Sequence, residues 1–399
     1  MEKEQIKQEI LSLISKEIDQ WLEAQATIKD GHEYEEKFMS ISQKVSKILL
    51  SQSVGTLPKN RNKKKLQTCF GKIEMSKTHP IAQHTSHFGI SSKLQELLCL
   101  VGQAYVFEEG SEILDKTLGI NISAKQIQRV SEYYGQALEY QQEQYINEEK
   151  EAPVLPISSE EELIYVMMDG SMVYTREEEW KEMKVGRIFS GSDCVPIQKK
   201  RNQIIQSMYV CHLGNHKDFF AKFEAYIRLY KNKVCIADGA KWLWNWIEDN
   251  YPDIVQILDF YHAIEKLAFY ASNQYNDKEE RKKWMEIQKQ QLLNNKVKTV
   301  ISQLLKVTAI SKEAEKARTD VIRYYQNNIM RMQYKTYIEK GYLIGSGAIE
   351  SAHRNVVQQR LKLSGQRWSM KGAQQIVNLR AYKKSNRWAD VVDIIKLAA

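Results

Sequence analysis

The sequence predicts an α/β protein: a mixed β-sheet with helices on its faces, interrupted by a helical insertion and preceded by a mostly helical region. Three observations carry this. Apolar runs at 163–168, 234–237 and 254–258 have the length of buried strands, and each ends at an aspartate. Stretches 218–230 and 240–249 have helical spacing and lie between such runs. Residues 260–340 are charged and almost free of glycine and proline, which suits helices.

Taken in order, residues 1–52 read as helices. Leu11, Leu13, Ile14 and Ile18, then Phe38, Ile41, Val45 and Leu49, recur every three or four positions. Residues 58–65 are basic and turn-rich, either a solvated linker or an arm along a DNA backbone. Residues 66–76 have weak strand character. Residues 91–145 read as helices, and 108–135 read helix, short turn, helix. Gly119, Ile120 and Asn121 make the break, and Ser123 suits an N-cap. Two ordinary packed helices have this pattern. So does a helix-turn-helix, whose second helix would present Lys125, Gln126, Gln128 and Arg129 to a major groove. Residues 146–160, with Pro153, Pro156 and several acids, mark the main boundary. Beyond it come further strands at 183–189 and 207–213 and, after the insertion, one more helix at 346–363. The organisation is therefore residues 1–150, a sheet domain from 160–264 plus 341–385, an insertion at 265–340, and a tail at 386–399.

Composition is that of a globular chain, with 43% hydrophobic and 27% charged residues. No apolar run approaches the ~18 residues that would span a membrane. The first residues lack an apolar signal core, so a cytoplasmic location is expected. Five cysteines without a CxxC pair fit a reducing compartment. The net charge of +8 is unevenly spread: residues 1–280 hold 34 Lys and Arg against 42 Asp and Glu, whereas residues 281–399 hold 24 against 8. Such a basic third suits a polyanion surface, because each neutralised phosphate releases counterions. A solvated basic helical face has the same composition.

Three acids stand out by position. Asp169 and Asp238 each follow an apolar strand and precede a glycine. Residues just past strand ends line the ligand crevice of an α/β sheet. Asp-Gly is also a common turn, so either alone says little; two in one sheet could face each other and share divalent metal. Glu350 lies in the segment Gly345–Arg354, where Ser346 suits an N-cap and the helix dipole favours a first-turn anion. Ile349, Ala352, Val356 and Leu363 would pack that helix on the sheet.

The series Met168-Asp169-Gly170, Ala237-Asp238-Gly239-Ala240-Lys241-Trp242, Leu258-Asp259-Phe260-Tyr261-His262, Gly345 to Glu350, Arg360-Leu361-Lys362 and Arg367-Trp368 resembles the DDE transposases of bacterial insertion sequences. It is most similar to the ISKra-type group, related to the Mutator-like transposases, from about residue 160 to 385. The resemblance implies a ribonuclease-H-like fold with Asp169 on the first strand, Asp238 after the fourth and Glu350 on a late helix. It implies two Mg²⁺ ions, replaceable by Mn²⁺, held by these carboxylates for in-line phosphoryl displacement. Asp259 and His262 match a supporting signature. The implied partner is double-stranded DNA, both the terminal inverted repeats and the target, bound by an oligomer of this chain. Arg354, Arg360, Lys362, Arg367 and Lys371 would contact phosphates. Trp368 and Trp388 would stack on an unpaired base or be buried, whereas Trp242, Trp244 and Trp246 read as core.

The chain departs from relatives that carry a CxxC zinc knuckle. It has Cys69, His79, His84 and His87 without standard ligand spacing, so zinc is not expected. Two other readings remain at this level: a DNA-binding descendant without catalysis, and a ribonuclease-H-fold nuclease or resolvase that cleaves without joining.

Overall fold

The structure, a computed structural model, describes residues 2–54, 62–83, 88–198 and 201–398. The chain divides into two compact units. The first comprises residues 1–141, 375–383 and 387–399; the second comprises 142–374 and 384–386. The boundary near residue 150 therefore falls slightly earlier than the sequence suggests. The end of the chain packs with the N-terminal helices instead of forming a separate tail.

In the first unit, helices α1 (Glu2–Gln25) and α2 (Gly31–Ser53) pack on each other. Trp21 meets Tyr34 and Phe38 edge-on, with ring centroids 5.8 and 5.6 Å apart. Asp30 caps α2 by accepting from the Glu33 amide at 2.9 Å. A hairpin follows, β1 (Lys63–Thr68) and β2 (Gly71–Ser76), whose Leu66, Ile73 and Met75 form a small core. After the short α3 (Pro80–Gln83) come α4 (Ser92–Ala104), α5 (Phe107–Leu118) and α6 (Ala124–Ile146). Leu94, Leu98, Ile127 and Tyr134 from these helices bury together with Leu379, Tyr382, Val391 and Ile395 from the chain's end. Gly119 terminates α5 in the left-handed conformation, and the Ser123 hydroxyl accepts from the Gln126 amide at 3.3 Å. The expected helix, turn and helix are all present.

The second unit is built on a mixed five-stranded sheet. Its strands are β3 (Ile164–Thr175), β4 (Glu179–Ser190), β7 (Met208–Leu213), β8 (Lys233–Ala237) and β9 (Val255–Leu258). The spatial order is β7-β4-β3-β8-β9. The first three strands in the chain are antiparallel, and β8 and β9 join in parallel on the far side of β3. Residues 164–168 of β3 are all buried, as expected of a strand covered on both faces. Phe219, Phe220 and Phe223 of α7 (His216–Ile227) and Trp244 and Ile247 of α8 (Lys241–Asn250) belong to the main core. A small hairpin, β5 (Cys194–Gln198) with β6 (Arg201–Ile204), was not expected from the sequence.

Two strands are longer than predicted. β4 begins at Glu179, not 183, and β3 runs through Asp169 to Thr175. Parallel pairing with β8 ends at Met167↔Ile236, while antiparallel pairing with β4 continues to Thr175↔Glu179. Asp169 therefore sits inside a strand, where one neighbour departs, and not beyond the strand's end. Residues 260–340 are helical as expected: α9 (Phe260–Gln274), α10 (Lys278–Leu293), α11 (Val297–Lys306), α12 (Lys312–Asn328) and α13 (Tyr334–Glu339). Then α14 (Gly347–Ala352) packs on β3 and β4, widens into a π-helical turn at His353–Gln358 and closes with α15 (Gln359–Leu361). The last helices are α16 (Met370–Lys384) and α17 (Trp388–Ala398). Among the described residues, no helix is long and apolar enough to cross a membrane, and all five cysteines are free.

Gly186 of β4 lies against the Phe223 ring, where a Cβ would overlap ring carbons. Gly186→Ala should destabilise the protein by about 1–3 kcal/mol through overpacking, read as a lower urea midpoint. An unchanged midpoint would show that α7 can shift to make room.

Candidate active site

Asp169 faces the gap left where β8 turns away. Its Oδ1 accepts from the Gly170 amide at 2.7 Å, and its Oδ2 lies 3.4 Å from His353 Nε2. Burial pushes its pKa up to about 6, and the charges of Asp238 and Glu182 add to the rise. The Gly170 amide and the positive His262 oppose it. Gly170 is not a turn residue. A Cβ there would collide with the Glu182 carboxylate, so glycine admits a second acid over the strand.

Asp238 follows β8. Its Oδ1 accepts from the Ala240 amide at 3.1 Å, and Gly239 takes φ +99°, a conformation that favours glycine. The Tyr324 hydroxyl of α12 donates to the Asp238 carbonyl, and its ring carbon would sit 2.8 Å from a Cβ on Gly239. The insertion therefore reaches the loop that carries this acid.

Asp259 follows β9 and is buried. As N-cap of α9, its Oδ1 accepts from the Tyr261 amide at 2.6 Å and the His262 amide at 3.3 Å. Its Oδ2 lies 3.0 Å from His262 Nδ1 and accepts from the Ser346 amide at 3.1 Å and from the Ser346 hydroxyl. Burial alone would raise its pKa, but the bonds from His262 and Ser346 outweigh that and hold it below the usual range. The same bond to Asp259 lifts His262 to about 9 against the opposing effect of burial. Ser346 occupies the N-cap position of α14 but makes no capping hydrogen bond to that helix; its hydroxyl donates to Asp259.

Glu350, in the first turn of α14, completes the arrangement. Its carboxylate and the donor atoms of Asp259 and His262 lie within 4.8 Å of one another. His262 feels the charge of Asp238, and Asp169 feels that of His262, so these groups share one electrostatic neighbourhood; among the described residues, the donors close enough to share one ion are those of Asp259, His262 and Glu350, without Asp169 or Asp238. The donors suit a hard divalent cation. Asp169 and Asp238 repel each other, and an ion between them would relieve that repulsion. Asp259 is a poor ligand because all its bonds are used in holding α9 and Ser346. Two neighbours were not visible in the sequence. Glu182 stands over Gly170, and His353 is 3% exposed in the π-helical turn, with burial lowering its pKa to about 4. Only the spacing of His353 three residues after Glu350 hinted at a shared face.

The basic residues divide. Arg354, Lys362, Arg367 and Lys371 are exposed, as are Lys125 and Arg129 on α6. Arg360 is not available to phosphate: it is 1% exposed, and its guanidinium lies over the Trp368 ring, 4.8 Å from the centroid. Trp368 is 7% exposed, and its carbonyl accepts from the Arg176 amide at 2.8 Å, so this ring is not a stacking platform on the surface. Trp244 is buried under Arg331, and Trp246 stacks on Phe220 with centroids 4.2 Å apart, as core residues do. His84, His87 and residues 58–61 of the basic stretch lie outside the described residues.

The two shifted pairs set opposite pH dependences. The Asp259–His262 pair is fully stabilising from above the ordinary aspartate pKa up to about pH 6.5, and fades as pH rises through about 9. Asp169 instead costs stability progressively as pH rises from the ordinary aspartate value to its folded value of about 6, and in full above that. Without divalent ions, Asp169→Asn should raise thermal stability near neutral pH by about 1 kcal/mol, after discounting for a side chain 39% exposed, and leave it unchanged below the ordinary aspartate pKa. His262→Gln should destabilise at about pH 6 and much less above pH 9. Thermal melts across pH check both, and a pH-independent Asp169→Asn effect would rule out the charge explanation.

No protein-family model matches this chain, and no curated protein is similar to it.

Proposed function

We propose that the protein is a DDE transposase that cuts and rejoins DNA at the ends of its own mobile element, with a ribonuclease-H-like catalytic domain. One observation carries the reading. Glu350, on the helix after the insertion, lies beside His262, and the charge of His262 couples to Asp169 on the first sheet strand and to Asp238 after the fourth, which supports a shared acidic site. The strand order, with an antiparallel trio extended by two parallel strands on its first member, is consistent with that fold.

Asp169, Asp238 and Glu350 are the residues that would hold Mg²⁺ or Mn²⁺. Such ions would activate water or a DNA 3′-hydroxyl and offset charge on the phosphodiester. Asp259 positions Ser346 and thereby the turn from which Glu350 projects. His262, charged at neutral pH, places a positive group beside the acids. Arg354, Lys362, Arg367 and Lys371 offer exposed cations for the DNA backbone, and Lys125 and Arg129 do so on α6. No side-chain nucleophile is required.

Asp169→Asn, Asp238→Asn and Glu350→Gln should each lower Mg²⁺-dependent plasmid nicking by about 100-fold or more, with DNA binding retained. Joined products from element-end DNA would separate a transposase from a nuclease. Nicking that survives all three substitutions would end this assignment. In a second measurement, replacing Lys362 or Arg367 with Ala should each reduce the slope of log affinity against log salt by about 0.9. Arg360→Met should lower thermal stability and leave that slope unchanged.

A further inference from the structure

A cavity of about 840 Å³ in the second unit is lined by Ala348 and Ser351, the residues on either side of Ile349 and Glu350 in the chain. One wall is the segment Tyr342 to Ala348, which leads into Glu350; another is the β5–β6 hairpin. The wall is well anchored. The Leu343 amide donates to the Tyr165 hydroxyl at 3.0 Å, the Phe260 amide to the Ile344 carbonyl at 2.9 Å, and Ser346 binds Asp259. Tyr209, Tyr261 and Tyr342 line the space, and Asn202 and Asn355 bring amide groups to its edge.

Its floor holds an unusual charge. Arg187 is 6% exposed, sandwiched between the rings of Phe189 and Tyr209 at 5.5 and 5.4 Å. Its Nε donates to Ser207 Oγ at 3.0 Å and its Nη1 to the Ala348 carbonyl at 2.7 Å. Among the described residues, no carboxylate pairs with it. A buried guanidinium without a counter-charge is costly, and an anion entering the cavity would offset that cost. Aromatic walls, amide edges and a cationic floor together fit a base joined to a phosphate. The volume suits one or two nucleotides and excludes a duplex.

The geometry points to a site for an unpaired nucleotide of a DNA strand, its base among the tyrosines and its phosphate directed to Arg187. This rests on the phosphodiester-transfer reading of the neighbouring acids. A nucleotide next to the scissile bond would leave the stack and be held here, so that a strand end stays near Glu350.

The test is run in EDTA, where cleavage cannot interfere. Fluorescence anisotropy compares a duplex bearing one unpaired adenosine with the same duplex fully paired. The wild type should prefer the bulged duplex by about 10-fold, within the range that stacking of one base provides. Tyr342→Ala and the exposed Asn202→Ala should each shrink that preference, with affinity for the paired duplex and the circular dichroism spectrum unchanged. Equal wild-type affinities, or a preference surviving in both variants, would overturn the site. Free dAMP displacing the bulged probe at micromolar levels would reassign the cavity to a mononucleotide and overturn the strand assignment. Nicking that depends on Glu350 without any bulge preference would sink the cavity alone. A bulge preference without nicking would support the cavity and count against the catalytic reading alone.

Discussion

The Asp259 carboxylate is shielded from water and still charged, so its hydrogen-bond partners must come from within the protein. It takes five donors: two amides of the first turn of α9, the His262 ring, and both the amide and hydroxyl of Ser346. These come from segments 87 residues apart in the chain. One group therefore ends β9, starts the helical insertion and fixes the return of the chain after it. Glu350 can stand near His262 only because this clamp sets where α14 begins. Removing a partner would leave a buried charge, which is far more costly than losing an ordinary hydrogen bond.

The sheet provides the other half of the site. An antiparallel strand stays alongside β3 through Asp169, while the parallel neighbour has already turned away. Asp169 lies just past this departure and feels the charge of Asp238, which follows β8. The Tyr324 hydroxyl of α12, donating to the Asp238 carbonyl, then ties the insertion to the Asp238 loop. The insertion is thus coupled to the carboxylates mechanically, not merely placed between them in sequence. Asp169 and Asp238 crowd negative charge together, with His262 as a cation that they feel, whereas Glu182 is paired with the buried Lys184 at 2.6 Å.

Much of this was legible in the sequence because it depends on local pattern. Buried strands announce themselves as apolar runs, so the strands leading to Asp169, Asp238 and Asp259 were readable, as were α7, α8 and the helical insertion. What was missed depends on pairing between distant segments. The second half of β3 alternates weakly and is paired along its length with β4 alone, apart from a bridge to Trp368 at its end, so Asp169 read as lying past a strand end. Arg360 and Trp368 read as DNA-facing because nothing local reveals that a guanidinium will lie on a buried ring. Ser346 read as a cap because its competing acceptor is supplied by Asp259. Glu182 and His353 carried no distinguishing motif, and the β5–β6 hairpin is too short and polar to stand out.

The π-helical turn at His353–Gln358 has a consequence for how this segment tolerates change in length. A π turn holds one more residue than an α turn spanning the same rise. Here it lets Ile349 and Ala352 before it, and Arg360 and Leu361 after it, all face the interior. The extra residue acts as a phase correction between two packing stripes. Losing one residue from this stretch would let the segment relax to α geometry while Arg360 and Leu361 keep their phase, so Arg360 would stay on Trp368. The same deletion within the regular turns of α16, which hold no extra residue, would turn everything beyond it by about 100°. The π turn is therefore the place where this part of the chain can shorten at least cost to its packing.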